Sequence, residues 1–217
     1  MLSTLTKNFS RFFAIDCKKT CCWNCHKTVE HKDCEFFCKN CHKLLPINID
    51  NYFTLFDLPK SYDIDSKKLL QTYKGYQRQV HPDKFYQASK NELSTADQVS
   101  CCVNDGYKTL SDPIKRGEYM LQLFKQNTKA DVPPAYLMDV LDIHEQVESA
   151  TDSADLVKLL SDIQKRIKDE KDSLSASLKI NNDKISNPQA AAESIAKMRY
   201  LSRIRDTIRE KLPIDLI

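Results

Sequence analysis

The sequence predicts a mainly α-helical protein built from three parts. A short N-terminal segment contains two Cys-x-x-Cys pairs, and pairs with this spacing predict a small metal-binding module. Through the rest of the chain, apolar residues recur at intervals of three and four, as they do on the buried faces of amphipathic helices. Breaks that contain proline divide these stretches into a helical hairpin with an exposed loop and an antiparallel three-helix bundle.

The composition of the 217-residue chain suits a soluble globular protein and narrows its function. A charged fraction of 29% with only 3 glycines is typical of long solvated helices. No run approaches the roughly 20 consecutive apolar residues of a membrane span. The net charge of +3 is too small to indicate nucleic-acid binding by itself. We therefore expect neither a membrane nor a nucleic acid among the partners.

Residues 1–16 have the composition of a mitochondrial targeting segment. They contain Lys7 and Arg11 together with serine, threonine and aromatic residues, and no acidic residue precedes Asp16. The continuous apolar stretch of a secretory signal is missing from them. A disordered basic tail is the alternative interpretation. The sequence thus favours the mitochondrial matrix, with a cytosolic pool as an alternative.

Residues 17–45 predict a structural zinc site. This segment holds seven of the nine cysteines, and twelve residues separate one C-x-x-C pair from the other. Four thiolates in two knuckles complete a tetrahedral Zn²⁺ and leave no open position for water. Because so short a segment cannot fold around its own hydrophobic core, we expect the metal to fold it. The predicted ligands of this one zinc ion are Cys22, Cys25, Cys38 and Cys41.

Other ligands and another metal remain open at this point. Cys17, Cys21 and Cys34 are spare thiols, and a histidine is an alternative to one cysteine ligand. Iron suits the same four sulfurs. We expect a zinc chelator to unfold residues 17–43 without unfolding the helices that follow. The candidate histidines are His26, His31 and His42.

Residues 51–125 contain an amphipathic helix whose exposed side is purely basic. This helix should start at Asp65 or Ser66, since both residue types favour the N-cap. It should end before Pro82, because proline cannot extend a helix and biases the preceding residue away from α geometry. No acidic residue accompanies its basic residues, which are Lys67, Lys68, Lys74 and Arg78.

A second amphipathic helix completes the predicted hairpin. Its apolar stripe should pack against that of the first helix, so that the His81-Pro82-Asp83 loop is displayed at the tip. Cys101 and Cys102 are expected to be small core residues of this helix. Asp112 followed by Pro113 should end it and begin a shorter helix.

Residues 132–214 predict an antiparallel three-helix bundle. Three apolar stripes at helical spacing are separated by connectors rich in Ser, Asn and Asp. The first stripe includes Leu137, Val140 and Leu141. Its helix also carries an acidic residue at every third position, which is either an ordinary solvated face or a docking surface with apolar anchors for a basic or mixed protein partner. These acidic residues are Asp139, Asp142, Glu145 and Glu148.

The three parts together resemble the HscB-type J-domain co-chaperones of iron–sulfur cluster assembly. The resemblance covers residues 22–212, and a tetracysteine module is typical of the animal-like members. It implies an L-shaped molecule in which residues 51–125 form a J domain and residues 132–214 bind a scaffold protein. The matching runs are Cys22-Trp-Asn-Cys, Leu55-Phe-Asp-Leu-Pro, His81-Pro-Asp-Lys-Phe, Val103-Asn-Asp-Gly-Tyr-Lys-Thr-Leu, Arg116-Gly and Tyr136-Leu-Met.

The resemblance implies a co-chaperone rather than an enzyme. Its J domain would stimulate the ATPase of a DnaK-type chaperone, and its bundle would bind an IscU-type scaffold and promote cluster transfer. A homodimer is one option for its quaternary state. The implied chaperone-binding residues are His81, Pro82, Asp83, Lys74, Arg78 and Lys84. The implied scaffold-binding residues are Leu137, Met138, Leu141, Asp142, Glu145 and Tyr200.

One glycine departs from the pattern of that family. Gly106 stands within a predicted helix where family members often have alanine. Glycine has more backbone freedom to lose on folding, so this residue should cost about 1 kcal/mol of helix stability.

Three alternative functions compete with this hypothesis. A general J-domain co-chaperone would deliver unfolded clients through its C-terminal helices, although an acidic helix with apolar anchors favours a folded partner. A zinc-finger nucleic-acid binder is suggested by eight basic against four acidic residues in 1–48, but no adjacent helix offers a base-reading face. A metal enzyme ranks last, because four thiolates exclude water from zinc.

Overall fold

The computed structural model describes residues 20–29, 35–47 and 49–213, and these residues are mainly helical, as predicted. The predicted targeting segment, residues 1–16, lies outside the described residues, as do Cys17, His31 and Cys34. The described residues form two compact units: those up to Lys60 together with Ile64–Ser111, and Ser61–Asp63 together with the described residues from Asp112 onward. None of the described helices is long and apolar enough to cross a membrane.

The first unit begins with a small antiparallel hairpin. Its strands are β1 (Thr20–Cys21) and β2 (Thr28–Val29), and Thr20 pairs with Val29. A second, similar turn is closed by an antiparallel bridge between Phe37 and Leu44. Each turn encloses one Cys-x-x-Cys pair, so two short hairpins present the four predicted metal ligands.

Three α-helices follow in this unit. They are α1 (Tyr52–Leu55), α2 (Ser66–Val80) and α3 (Lys90–Ser111), and a 3-10 helix (Pro82–Phe85) lies between α2 and α3. The carboxylate of Asp65 accepts hydrogen bonds from the backbone N–H groups of Lys67 and Lys68, which confirms Asp65 as the cap. Helix α2 ends before Pro82, as predicted.

Gly106 of α3 lies against two aromatic rings, that of Tyr52 in α1 and that of Phe56, which directly follows α1. A Cβ atom at this position would lie 2.9 Å from Phe56 Cε2 and 2.9 Å from Tyr52 Cδ1. Phe56 is fully buried and Tyr52 nearly so, which leaves both rings little room to move aside. The glycine therefore allows α1 and α3 to approach closely, a benefit that its low helix propensity alone does not reveal.

The expected burial of two cysteines in α3 is partly wrong. Cys101 is exposed, and Cys102 is only half-buried. Ser100 and Val103, on either side of them, are buried instead. Cys101 therefore lies on the exposed face of α3, and Ser100 and Val103 lie on the face toward the core.

The second unit contains the predicted three-helix bundle and one further helix. Its elements are α4 (Pro113–Leu123), α5 (Pro134–Ser149), α6 (Ser153–Ser177), β3 (Ile180–Asn181), β4 (Lys184–Ile185) and α7 (Pro188–Lys211). Helix α7 packs against α4, α5 and α6. The predicted J-domain range of 51–125 contains α4, and its extent stays a prediction.

Apolar side chains from α5, α6 and α7 form the core of the bundle. All members of this cluster are less than one-tenth exposed, and most belong to the three predicted stripes. They are Val140, Ile143, Val147, Leu156, Leu160, Ile163, Leu201, Ile204, Ile208 and Leu212. The bundle and its three apolar faces are therefore confirmed.

Candidate functional site

The four predicted ligand cysteines form one cluster. Their Sγ atoms all lie within 4.8 Å of one another, and all four are free thiols. The Sγ atoms of Cys22 and Cys41 are 3.6 Å apart, and those of Cys25 and Cys38 are 3.7 Å apart. Tetrahedral Zn–S bonds of about 2.3 Å place sulfurs about 3.8 Å apart. The cluster therefore has the size of a four-thiolate metal site.

Two backbone turns with the same hydrogen bonds present these cysteines. The N–H of Cys22 donates to the carbonyl of Lys27, and that of Cys38 donates to Lys43, each over 2.9 Å. Both turns carry the sequence Cys-x-Asn-Cys-His-Lys. The two knuckles are thus copies of one local structure.

The histidines that follow each pair shape the turns rather than join the cluster. His26 and His42 adopt left-handed φ angles of 57° and 56°. Their N–H groups donate to the carbonyls of Cys22 and Cys38. Both side chains are exposed, and the group of possible ligands in the described part of the chain contains cysteines alone. Neither histidine, nor Cys21, replaces a cysteine in this group.

Polar groups around the cluster favour thiolates at two of its positions. The backbone N–H of Lys43, aided by the side chain of Asn24, lowers the pKa of Cys41 to about 6. The backbone N–H of Lys27 lowers the pKa of Cys25 in the same way. Burial raises the pKa of Cys22 to about 11. Metal binding requires thiolates, and the knuckle backbone stabilises two of them in advance.

The second knuckle is fastened to the helices of its own unit. Lys43 forms an ion pair of 2.7 Å with Glu92 of α3, whose side chain is only 7% exposed. Phe36 is buried and lies edge-on to Tyr76 of α2. Leu44, next to Lys43, is fully buried. The tetracysteine module is therefore part of the same compact unit as α1, α2 and α3.

The His81-Pro82-Asp83 loop is exposed at the end of α2. The N–H of Asp83 donates to His81 Nδ1 over 3.3 Å, and the N–H of Lys84 donates to the carbonyl of His81 over 3.0 Å. Phe85 is buried and anchors the turn. The loop therefore has a defined backbone while the side chains of His81 and Asp83 remain open to a partner.

Basic side chains flank this loop. Lys74, Arg78 and Lys84 are exposed, and none of them has an ion-pair partner among the described residues. Lys68 differs, because it binds the carboxylate of Asp57 at 2.8 Å and the backbone carbonyl of the same residue. Lys74 and Arg78 thus place unpaired positive charge on the C-terminal half of α2, and Lys84 places it on the loop. Lys67, in the first turn of α2, is also exposed and has no ion-pair partner among the described residues.

Helix α5 of the second unit exposes two large apolar side chains. Met138 is 62% exposed and Leu141 is 56% exposed. The expectation that Leu141 lies on the buried stripe is wrong, because Ile143 takes that place in the core. Leu137 is half-buried. Exposed apolar residues at i and i+3 form a continuous patch on one helix face.

The acidic strip of α5 divides into paired and unpaired residues. Asp139 binds Arg166 of α6, and Glu148 lies 3.2 Å from Lys211 of α7. Asp142 and Glu145 are exposed and have no ion-pair partner in the described part of the chain. Asp142 follows Met138, and Glu145 follows Leu141, each at i+4 spacing, so the two carboxylates adjoin the apolar patch. The middle of the strip thus offers unpaired negative charge beside apolar surface.

Tyr200, the remaining predicted scaffold-binding residue, lies on α7. It is half-buried and packs against the core of the bundle. Part of its side chain is therefore accessible. Its membership of the α5 surface stays a prediction.

Comparisons with known proteins agree with this architecture. Residues 132–209 match the family described as the HSCB C-terminal oligomerisation domain. The human iron–sulfur cluster co-chaperone protein HscB is 32% identical over 200 residues, which cover 89% of this chain and 83% of the relative. The co-chaperone protein HscB homolog of Shewanella amazonensis is 34% identical over 160 residues, which cover 71% of this chain and 92% of the relative.

A solved structure extends the likeness to the fold. The crystal structure of human co-chaperone protein HscB matches with a TM-score of 0.80 at 32% identity, covering 88% of this chain and 98% of that one. These relatives are named as co-chaperones of iron–sulfur clusters, and none of these names is that of an enzyme. The fold and its relatives thus define a co-chaperone by class. The chain belongs to the HscB family of iron–sulfur cluster co-chaperones.

Proposed function

We propose that this chain connects an IscU-type scaffold to a DnaK-type chaperone, stimulates the ATPase of that chaperone and promotes transfer of the cluster. One observation carries the proposal. A chain of the HscB family exposes the His81-Pro82-Asp83 loop in one compact unit and the apolar patch of α5 in the other. Two separate surfaces suit a protein that binds two partners.

The chaperone would bind the loop and the basic end of α2. Asp83 can accept a charge-assisted hydrogen bond from a partner arginine, because its carboxylate is exposed. Unpaired basic side chains would steer the loop toward an acidic surface. These roles belong to a J domain within residues 51–125. The proposed residues are His81, Pro82, Asp83, Lys74, Arg78 and Lys84.

The scaffold would bind α5. Exposed methionine and leucine side chains supply apolar anchors, and two unpaired carboxylates supply a charged rim for a basic or mixed surface. A defined patch of this kind favours a folded partner over an unfolded client. The proposed residues are Leu137, Met138, Leu141, Asp142, Glu145 and Tyr200.

The tetracysteine cluster would hold one structural zinc ion. The sulfur separations and the four-thiolate donor set support zinc, and full protein ligation leaves no position for catalysis. Replacing a ligand in Cys38→Ser should abolish stoichiometric zinc measured by elemental analysis of the purified chain. Cys21→Ser is the matched control, because Cys21 is outside the cluster, and it should retain one zinc.

Compartment and quaternary state complete the proposal. The basic composition of residues 1–16 supports import into the mitochondrial matrix, and an import assay with isolated mitochondria would test it. The family description of residues 132–209 as an oligomerisation domain supports a homodimer. Sedimentation equilibrium of the purified chain would give its mass in solution.

Steady-state ATP hydrolysis by the DnaK-type chaperone tests the central proposal. The chain is added alone and together with the IscU-type scaffold. We expect stimulation by the chain and a further, more than additive increase with the scaffold. If the stimulation is the same with and without the scaffold, a general co-chaperone of unfolded clients is favoured. The absence of stimulation in both arms would contradict the proposal.

A further inference from the structure

Tyr86 is the most exposed large apolar or aromatic side chain in the described part of the chain. Its exposed fraction of 73% exceeds that of Met138, the next in order. It directly follows the 3-10 helix that contains Pro82 and Asp83. A ring so exposed gains little from burial in the fold, which makes it available to a partner.

The geometry of the 3-10 helix places Tyr86 on the same side as Asp83. Such a helix has three residues per turn, so side chains at i and i+3 lie above one another. Pro82 and Phe85 form the inner side, where Phe85 is buried. The backbone of Tyr86 continues the turn, with φ −60° and ψ −26°. A surface that receives the Asp83 carboxylate would therefore meet the ring of Tyr86.

Hydrogen bonds fix this arrangement on both sides of the loop. The N–H of Lys84 donates to the carbonyl of His81 over 3.0 Å, and the N–H of Ala88 donates to that of Phe85 over 2.9 Å. The hydroxyl of Tyr86 accepts a bond of 2.7 Å from Gln87 Nε2. Because the backbone of this turn is already ordered, the conformational entropy lost when a partner covers the ring is confined to side chains.

We propose that Tyr86 is an apolar anchor of the chaperone-binding surface and contacts the DnaK-type chaperone beside Asp83. The inference rests on the proposed function and adds a residue to that site. The partner surface would combine acidic groups, which match Lys84 and the basic end of α2, with an apolar depression for the ring.

A titration of chaperone ATPase stimulation tests this anchor. Tyr86→Ala should raise the concentration for half-maximal stimulation about fivefold or more, which corresponds to about 1 kcal/mol. The rate at saturation should approach that of the wild type, because the His81-Pro82-Asp83 loop is intact. Tyr86→Phe keeps the ring and should stay near the wild-type concentration.

Two further variants separate the outcomes. Val157→Ala truncates an exposed apolar side chain of α6 and should leave the half-maximal concentration unchanged. If His81→Gln is inactive but Tyr86→Ala titrates like the wild type, the anchor is wrong and the proposed function stands. If His81→Gln still stimulates the ATPase, the proposed function itself fails. If Tyr86→Ala changes only the self-association of the chain, the ring belongs to a contact between two copies of it. That result would overturn the proposal that Tyr86 contacts the chaperone.

Discussion

The ring of Phe36 lies edge-on to the ring of Tyr76, with centroids 4.8 Å apart and an interplanar angle of 84°. Phe36 precedes Cys38 by two residues, and Tyr76 belongs to α2. Tyr76 also stacks on Phe56, which follows α1. The second knuckle is thus connected through aromatic rings to the helices of its unit. An ion pair between the half-exposed Lys43 and the buried Glu92 adds a contact to α3.

Removal of the metal should therefore destabilise helices as well as knuckles. With the cluster empty, Phe36 loses its fixed position, and the contacts of Tyr76 and Glu92 weaken. We expect a chelator to lower the melting temperature of the helical signal in the first unit by about 5 °C or more, measured by circular dichroism. This revises the expectation that residues 17–43 unfold alone.

Trp23 provides an internal probe for this experiment. It is the only tryptophan, and its Nε1 donates to the carbonyl of Leu44 over 2.8 Å. Fluorescence of Trp23 should change together with the helical signal. Phe36→Ala, which removes a buried ring at a cost of about 3 kcal/mol or more, should reduce the additional effect of the chelator on the helices. A change in fluorescence without any change in helix melting would contradict the coupling.

Gly106→Ala should destabilise the chain although it raises helix propensity. The propensity gain is about 1 kcal/mol, whereas crowding of two buried rings costs about 1–3 kcal/mol. Urea unfolding should therefore show no gain in stability and a net loss of up to about 2 kcal/mol. Gly75→Ala is the matched control, because nothing lies within 4 Å of a Cβ there, and it should stabilise α2 by up to about 1 kcal/mol. Equal stabilisation by both substitutions would mean that α1 and α3 are not closely packed.

His81→Gln should abolish stimulation of the chaperone ATPase and leave scaffold binding intact. The side chain of His81 is exposed, so its replacement changes the loop surface and not the core. Stimulation is measured by phosphate release, and scaffold binding by isothermal titration calorimetry. Loss of both activities would point to unfolding rather than to a role in the loop.

Met138→Ala combined with Leu141→Ala should raise the dissociation constant for the scaffold about tenfold or more. Both side chains are exposed, so the free energy of unfolding should change by less than about 0.5 kcal/mol per site. Calorimetry gives the affinity, and urea unfolding gives the stability. Val157→Ala is an exposed truncation outside this patch and should bind normally. Unchanged affinity of the double variant would remove α5 from the scaffold surface.

Local signals made much of the architecture predictable from sequence. Asp65 and Asp112 cap α2 and α4 as their residue types predict, since each carboxylate accepts two backbone N–H bonds. The cysteine quartet was also predictable, because each C-x-x-C turn brings two sulfurs together and the spacing of the two turns is typical of a four-thiolate site. These features depend on neighbours along the chain.

Features that depend on tertiary contacts were harder to predict. Leu141 and Ile143 are both apolar and lie two residues apart on α5, so periodicity alone does not decide which one faces the core. The sequence likewise did not decide whether Cys101 or its neighbours on α3 face the core. The attachment of the second knuckle to α2 and α3 joins residues such as Lys43 and Glu92, which are far apart in sequence.

The hairpin of β3 and β4 was missed for another reason. Asn182 and Asp183 adopt left-handed φ angles of 49° and 56°, which suit a two-residue turn. Ile180 and Ile185 flank this turn. The strands contain only two residues each, and the segment therefore reads as a polar connector.

Transfer of an iron–sulfur cluster from a loaded scaffold to an apo acceptor protein tests the central claim most directly. The transfer rate is followed by circular dichroism of the cluster, with the DnaK-type chaperone and ATP present. We predict that the wild-type chain accelerates transfer, and that either His81→Gln or the Met138→Ala and Leu141→Ala pair removes the acceleration. Acceleration that survives both changes would show that the chain does not act by joining scaffold and chaperone.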